Sequence, residues 1–147
     1  MRLIVAGLMV LALTGAARAA EIVRVAASGS VPEVANRLVV AVEDAGALVF
    51  ARVDHAGGAA TVGMELQPME LVVFGNPRLG TPAIREAPMA GLVLPLRVLV
   101  YTDGDGTWLA YQDPGEMIAE VGGAADAASV APIRKALEKI TATAAGG

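Results

Sequence analysis

The chain holds a single histidine, His55, and it follows Asp54 directly in the run Val53-Asp54-His55-Ala56-Gly57-Gly58. An imidazole beside a carboxylate can act as an oriented general base, or the pair can offer two metal ligands. The same two residues at a strand-to-helix junction have a structural use as well. Asp54 would cap the next helical turn and His55 would bond to backbone. A working base needs a polar partner from a distant segment. Asn76, presented by the Gly75-Asn76-Pro77 exit from an apolar strand, is the first choice as a polarising donor. Asn76, Arg52, Tyr101 and Tyr111 are the candidate ligand contacts. Trp108 and Tyr111 alternate onto opposite faces of one strand, so a groove lining and a core or dimer contact both stay open for these rings.

Other chemistries are poorly served. Ser30 and Ser129 look committed to helix caps, and no G-x-S-x-G elbow surrounds Ser28, Ser30 or Ser129. The chain has no cysteine, which removes thiol nucleophiles, thiolate metal sites and C-x-x-C redox chemistry. Asp103-Gly104-Asp105-Gly106 resembles a calcium loop only at first sight. With Asp103 at its first position, the invariant glycine would be Trp108 and the bidentate glutamate would be Pro114. A hairpin turn is the better reading. Gly57-Gly58 lacks the glycine and lysine spacing of a phosphate loop. One imidazole with carboxylates alone makes a poor soft-metal site. No metal and no cofactor are expected.

The N-terminus reads as an export signal. Arg2 precedes an apolar run from Leu3 to Leu13, broken only by Gly7, and small residues follow up to Ala19. That run is shorter than the roughly 20 residues a membrane span needs. Ala17 and Ala19 fit the small-residue rule for cleavage before Ala20. The expected product is a free periplasmic or secreted protein, with no membrane contact once residues 1–19 are removed. Removal of Arg2 and Arg18 moves the formal charge from −4 to −6, two arginines fewer. An acidic surface without a basic stripe is repelled by phosphate backbones, so nucleic acid is not an expected partner. Hydrophobic residues make up 55% of the chain and aromatics only 3%, so the core must be aliphatic.

The elements that position these residues follow from periodicity and punctuation. A first strand spans 22–26. Ser30, Pro32 and Glu33 mark a helix start, apolar residues from Val34 to Ala45 recur at helical spacing, and Gly46 ends the run. Strands follow at 48–53 and 70–74, with weak helical turns between them at 59–64. Thr81-Pro82 opens a short helix that Pro88 ends. Residues 97–102 and 107–111 form a hairpin around the acidic turn. Asp113-Pro114-Gly115-Glu116 repeats the start signature of the first helix, and Gly122-Gly123 ends the second such helix. After an alanine-rich connection Ser129 starts a last amphipathic helix, with a frayed tail from Ala142 onward.

Taken together, these segments resemble the Domain of Unknown Function 302 family of bacterial and archaeal proteins. The residues carrying the resemblance are Val53-Asp54-His55, Gly63, Val72-Val73-Phe74-Gly75-Asn76-Pro77, Gly80-Thr81, Pro88, Leu94-Pro95-Leu96, and the hairpin from Val98 to Tyr111 ending in Asp113-Pro114. The match covers roughly residues 30–121. It implies a compact α+β fold that tends to pair into homodimers, and it brings no mechanism with it.

The expected architecture is a single compact α+β domain, an antiparallel or mixed sheet with helices packed on it. Residues 1–19 form the signal, 20–123 the α+β domain, and 124–147 the alanine-rich connection and C-terminal helix. Two functions stay open. The first is a non-catalytic exported homodimer that binds a small ligand or serves as an accessory module. The second is a small enzyme using His55 with Asp54 as a general-base pair and Asn76 as the polarising donor.

Overall fold

The computed structural model describes residues 20–146, and the export signal assigned to residues 1–19 lies outside them. Five strands form one sheet in the order β1-β5-β4-β3-β2, and every neighbouring pair is antiparallel. β1 is Ile22–Ala27, β2 Leu48–Asp54, β3 Met69–Gly75, β4 Leu96–Thr102 and β5 Thr107–Gln112. The α+β class expected from sequence is what the chain adopts.

β1 and β2 occupy opposite edges, so α1, Val31–Asp44, must cross one face of the sheet to join them. Its start is fixed by Glu33, whose carboxylate accepts from the Ser30 N–H and from Ser30 Oγ, each at 2.8 Å. Its end is fixed by Gly46, whose φ of +70° suits a residue without a side chain. Val34, Ala35, Leu38 and Val42 recur at helical spacing, and all are fully buried against the strands.

α5, Val130–Ala145, packs beside α1 on the same face and brings Ile133, Leu137, Ile140 and Ala144 into the same core. The frayed tail expected from Ala142 is corrected here. Ala144 and Ala145 are buried, Arg37 Nε donates to the Ala144 carbonyl at 2.9 Å, and the Ala145 carbonyl accepts from the Ser28 N–H at 3.0 Å. A guanidinium at the carbonyl end of a helix complements its dipole, and the last turn is held in place. Ser129 does not cap α5 through its side chain. Its hydroxyl donates to Glu86 Oε2 at 2.6 Å, which ties the start of α5 to the segment before β4.

α2, His55–Thr61, starts earlier than expected because Asp54 Oδ1 accepts from the Gly57 N–H at 2.8 Å. α3 also starts earlier and is longer, running from Pro77 to Glu86 with Pro82 inside it. Asn76 caps it by accepting from the Arg78 N–H at 2.9 Å, and Pro77 takes the first helical position, where no N–H is needed. A 3₁₀ turn, Pro88–Leu92, leads into β4. α4, Pro114–Glu120, is capped by Asp113 as the sequence suggested. Glu116 does not complete that box. Its carboxylate accepts from the Glu21 N–H and pins the start of β1 instead.

Every buried strand side chain lies on the helix side of the sheet. Val72, Phe74, Leu96, Val98, Val100, Leu109 and Tyr111 alternate onto that face. The other face carries Leu71, Val73, Leu99, Tyr101, Trp108 and Ala110, all only half-buried, with Arg24 and Arg97 among them.

Candidate functional site

The ordinary alternation of β2 would place Leu48, Phe50 and Arg52 on one face. The register shows otherwise, because it shifts between Val49 and Ala51 and leaves Phe50 as the extra residue of a bulge. Leu48, Ala51 and Val53 consequently share the open face, Val49 and Arg52 face the helices, and Phe50 is turned outward at the sheet edge with 58% of its surface exposed.

Phe50 stands at the rim of a cavity of about 480 Å³ on the helix side. Phe74 and Leu96 form its floor from the sheet, Ile133 and Ile140 one wall from α5, and Leu79 and Ile84 the other from α3. Four of these six side chains are buried, while Phe50, Thr81, Ile84 and Pro95 at its margin are exposed, so the cavity is a groove with a buried floor that opens to solvent. Asn76 is its most polar lining residue, and both ends of its amide are occupied. Oδ1 caps α3, and Nδ2 donates to the Gly46 carbonyl at 3.2 Å.

The candidate residues read from sequence do not converge. Asn76 follows the end of β3 that pairs with Leu48, whereas His55 follows the end of β2 that pairs with Glu70. Five ladder steps separate the two ends, roughly 17 Å of strand. His55 and Asp54 are exposed, and the Asp54 carboxylate serves as the cap of α2. Arg52 pairs with Glu70 and donates to Asn36 Oδ1 at 2.9 Å. Tyr111 belongs to the core, where burial raises the pKa of its phenol above the usual value. Tyr101 lies on the open face. There Arg24 stacks over the Trp108 ring at 4.4 Å and over Tyr101 at 5.6 Å, and it pairs with Asp103 at 2.8 Å. Asp103 also accepts from Trp108 Nε1 at 3.1 Å and from the Asp105 N–H at 3.2 Å, so the acidic turn is bonded internally as a hairpin turn. Among the described residues no group of three or more histidine, aspartate or glutamate side chains is placed to hold a metal ion.

Sequence reasoning named Asn76 as a candidate and did not anticipate the cavity beside it. Its lining is drawn from Ala45 to Ile140, and only the folded chain brings those segments together.

The model of the family described as "Domain of unknown function DUF302" matches residues 23–144. The chain belongs to this family. The match runs through α5, so the last helix is part of the DUF302 domain along with the sheet. A crystal structure of an uncharacterized conserved DUF302 protein from Bacillus stearothermophilus has the same fold, with a TM-score of 0.76, 20% identity, and coverage of 84% of this chain and 97% of that one. Two curated relatives are 42% identical over 94 residues, which is 63% of this chain. They are the fluoride-specific ion channel FluC 1 of Brucella suis and the protein of the same name from Brucella abortus. This chain's match spans just over a third of their length, 37% and 35% respectively. No helix among the described residues is long and apolar enough to cross a membrane.

Proposed function

We propose that the mature chain is an exported, non-catalytic homodimeric module that binds a small ligand or serves an accessory role. The observation that carries this reading is the open sheet face. Leu71, Val73, Leu99 and Ala110 form an apolar centre, bordered by Arg24 and Arg97, that no helix among the described residues covers, and β2 adds Leu48 and Val53 at the edge. Soluble monomers rarely leave a contiguous apolar face of this kind in water. A second copy applied about a two-fold axis would cover it with the same residues.

Export is supported by the leader-like sequence, and two bonds beside the proposed cut are compatible with it. The Ala20 N–H donates to Glu120, and the neighbouring Glu21 N–H donates to Glu116. Cleavage before Ala20 would turn the first of these groups into an ammonium facing a carboxylate, a stronger bond than the uncut amide can make. Binding is favoured over catalysis by what the chemically able side chains already do. Asp54 caps α2, Asn76 caps α3 and holds Gly46, and His55 is exposed at the far end of the sheet. The Brucella relatives support an accessory role, because in them a stretch of this kind is joined to a much longer chain named as an ion channel.

Sedimentation of the mature protein at micromolar concentration tests the reading. Twice the chain mass is expected, and Leu99→Glu on the open face should give a folded monomer. A wild-type protein that sediments as a monomer across the micromolar range would overturn the homodimer.

A further inference from the structure

We infer that the cavity between α3, α5 and the β2 edge binds an uncharged, largely apolar small molecule, an aliphatic chain or a small aromatic ring. The inference gives a chemical class to the ligand half of the proposed function, and it does not depend on dimerisation. Its floor residues Phe74 and Leu96 face the helices and not the open sheet face.

Its size falls within the roughly 300–1,000 Å³ of small-molecule sites. No charged side chain lines it. An ionic ligand placed there would lose its hydration without gaining a partner. Water is served no better, because the Asn76 amide is bonded at both ends and Thr81 brings the only side-chain hydroxyl.

One glycine in the lining, Gly80, leaves space that a side chain would fill. Neither Gly75 nor Gly80 has a positive φ, so neither is required by backbone conformation. Gly80 lies inside α3, where glycine weakens a helix relative to alanine. A Cβ on Gly75 would approach Pro95 at 3.3 Å and the Phe50 ring at 3.4 Å, so close packing alone accounts for that glycine. A Cβ on Gly80 would meet only Leu94, at 3.8 Å, so a longer side chain there would extend into the cavity. The Phe50 bulge completes the rim by placing an exposed ring where an apolar ligand would enter.

The test uses the mature protein and N-phenyl-1-naphthylamine, an uncharged apolar fluorophore, with 1-decanol and phenyl phosphate as competitors. Saturable binding of one dye per chain is expected, displaced by decanol and not by phenyl phosphate. Ala136→Trp fills the cavity from α5 and Gly80→Leu fills it from α3. Each should weaken dye binding at least tenfold, and the variant that keeps the parent's circular dichroism and melting temperature provides the reading. Absence of saturable binding to the wild type would overturn the inference, as would unchanged binding in a folded filled variant or equal displacement by phenyl phosphate. Sedimentation of the same samples separates the two proposals. A monomer that binds dye would refute the homodimer and retain the ligand, and a dimer that binds none would do the reverse. Dye binding lost as the dimer forms would show that a second copy covers the cavity, and would also overturn the inference.

Discussion

Asp113 accepts from both Nε and Nη2 of Arg134, at 2.7 and 2.9 Å, while its Oδ1 also caps α4 by accepting from the N–H groups of Gly115 and Glu116. One carboxylate thereby joins the end of β5 to the starts of α4 and α5. The Arg134 guanidinium first, and the two amides after it, hold the Asp113 carboxyl below its ordinary range.

Asp113→Ala should therefore lower stability by about 2 kcal/mol, combining a lost cap of roughly 1 kcal/mol with a fork that partial exposure of Arg134 discounts to a similar size. Because the folded carboxyl is the more acidic one, its contribution is fully present above the unfolded value near pH 4. It is lost as pH falls through the folded value. The parent should lose stability over that acid range, and Asp113→Asn should lose less there. Urea melts at pH 7 and at successively lower pH check the sign, and identical acid limbs for the two proteins would refute it. Arg134→Lys keeps the charge but not the fork, and should recover only part of the stability.

Gly115 is a second point of close approach. A Cβ there would come within 2.6 Å of the Ala125 carbonyl and 2.3 Å of Arg134 Nη2. The guanidinium can move, but the Ala125 backbone can do so only by shifting the connection before α5. Gly115→Ala should cost about 1–3 kcal/mol, the usual range for overpacking, although alanine is the better helix former. A melting temperature equal to the parent's would show that the connection between α4 and α5 yields freely.

What the sequence revealed is tied to local punctuation. Ser30 with Glu33, Asp113 with Pro114, and Gly46 are signals that act within a few residues, and the helix limits they implied are the observed ones. Asn76-Pro77 carries the same cap-and-proline signature. It reads as a turn because glycine precedes it and Pro82 follows, yet α3 continues through Pro82, which forgoes one helical backbone bond there. The bulge at Phe50 left no local trace, since Leu48 to Ala51 is apolar at every position and any register looks equally good. The cavity was the least legible feature. Its walls are set by how α3 and α5 cross the sheet, and residue spacing along the chain does not encode that distance.

The start of the mature protein is open to direct measurement. N-terminal sequencing of the exported form should read Ala20-Glu21-Ile22, because Arg18 cannot occupy the residue before the cut. Glu120→Gln and Glu116→Gln should each destabilise the mature protein modestly, by about 1 kcal/mol for a weakened hydrogen bond to the chain start. The Glu120→Gln effect should fade at alkaline pH as the Ala20 ammonium loses its proton, at a pH above the ordinary α-amino range because the Glu120 carboxylate favours the charged form. A mature protein that retains residues 3–13 would overturn both the cleavage site and the location.

The last prediction concerns His55 and Asn76, which an enzymatic reading would require to act together. Asn76→Ala removes the cap of α3 and the bond to the Gly46 carbonyl, and should cost about 1–2 kcal/mol. His55→Ala changes an exposed side chain at the first position of α2, and should stay within about 0.5 kcal/mol of the parent. The two lie at opposite ends of β2 and β3, so the double variant should lose the sum of the single losses to within about 0.5 kcal/mol. Denaturant melts of the four proteins measure this, and dye titration of the same four adds a functional reading. His55→Ala should bind the dye as the parent does, and Asn76→Ala should bind it more weakly through movement of α3. A coupling above 1 kcal/mol between the two sites, or loss of dye binding in His55→Ala alone, would join them functionally and return the histidine to the centre of the problem.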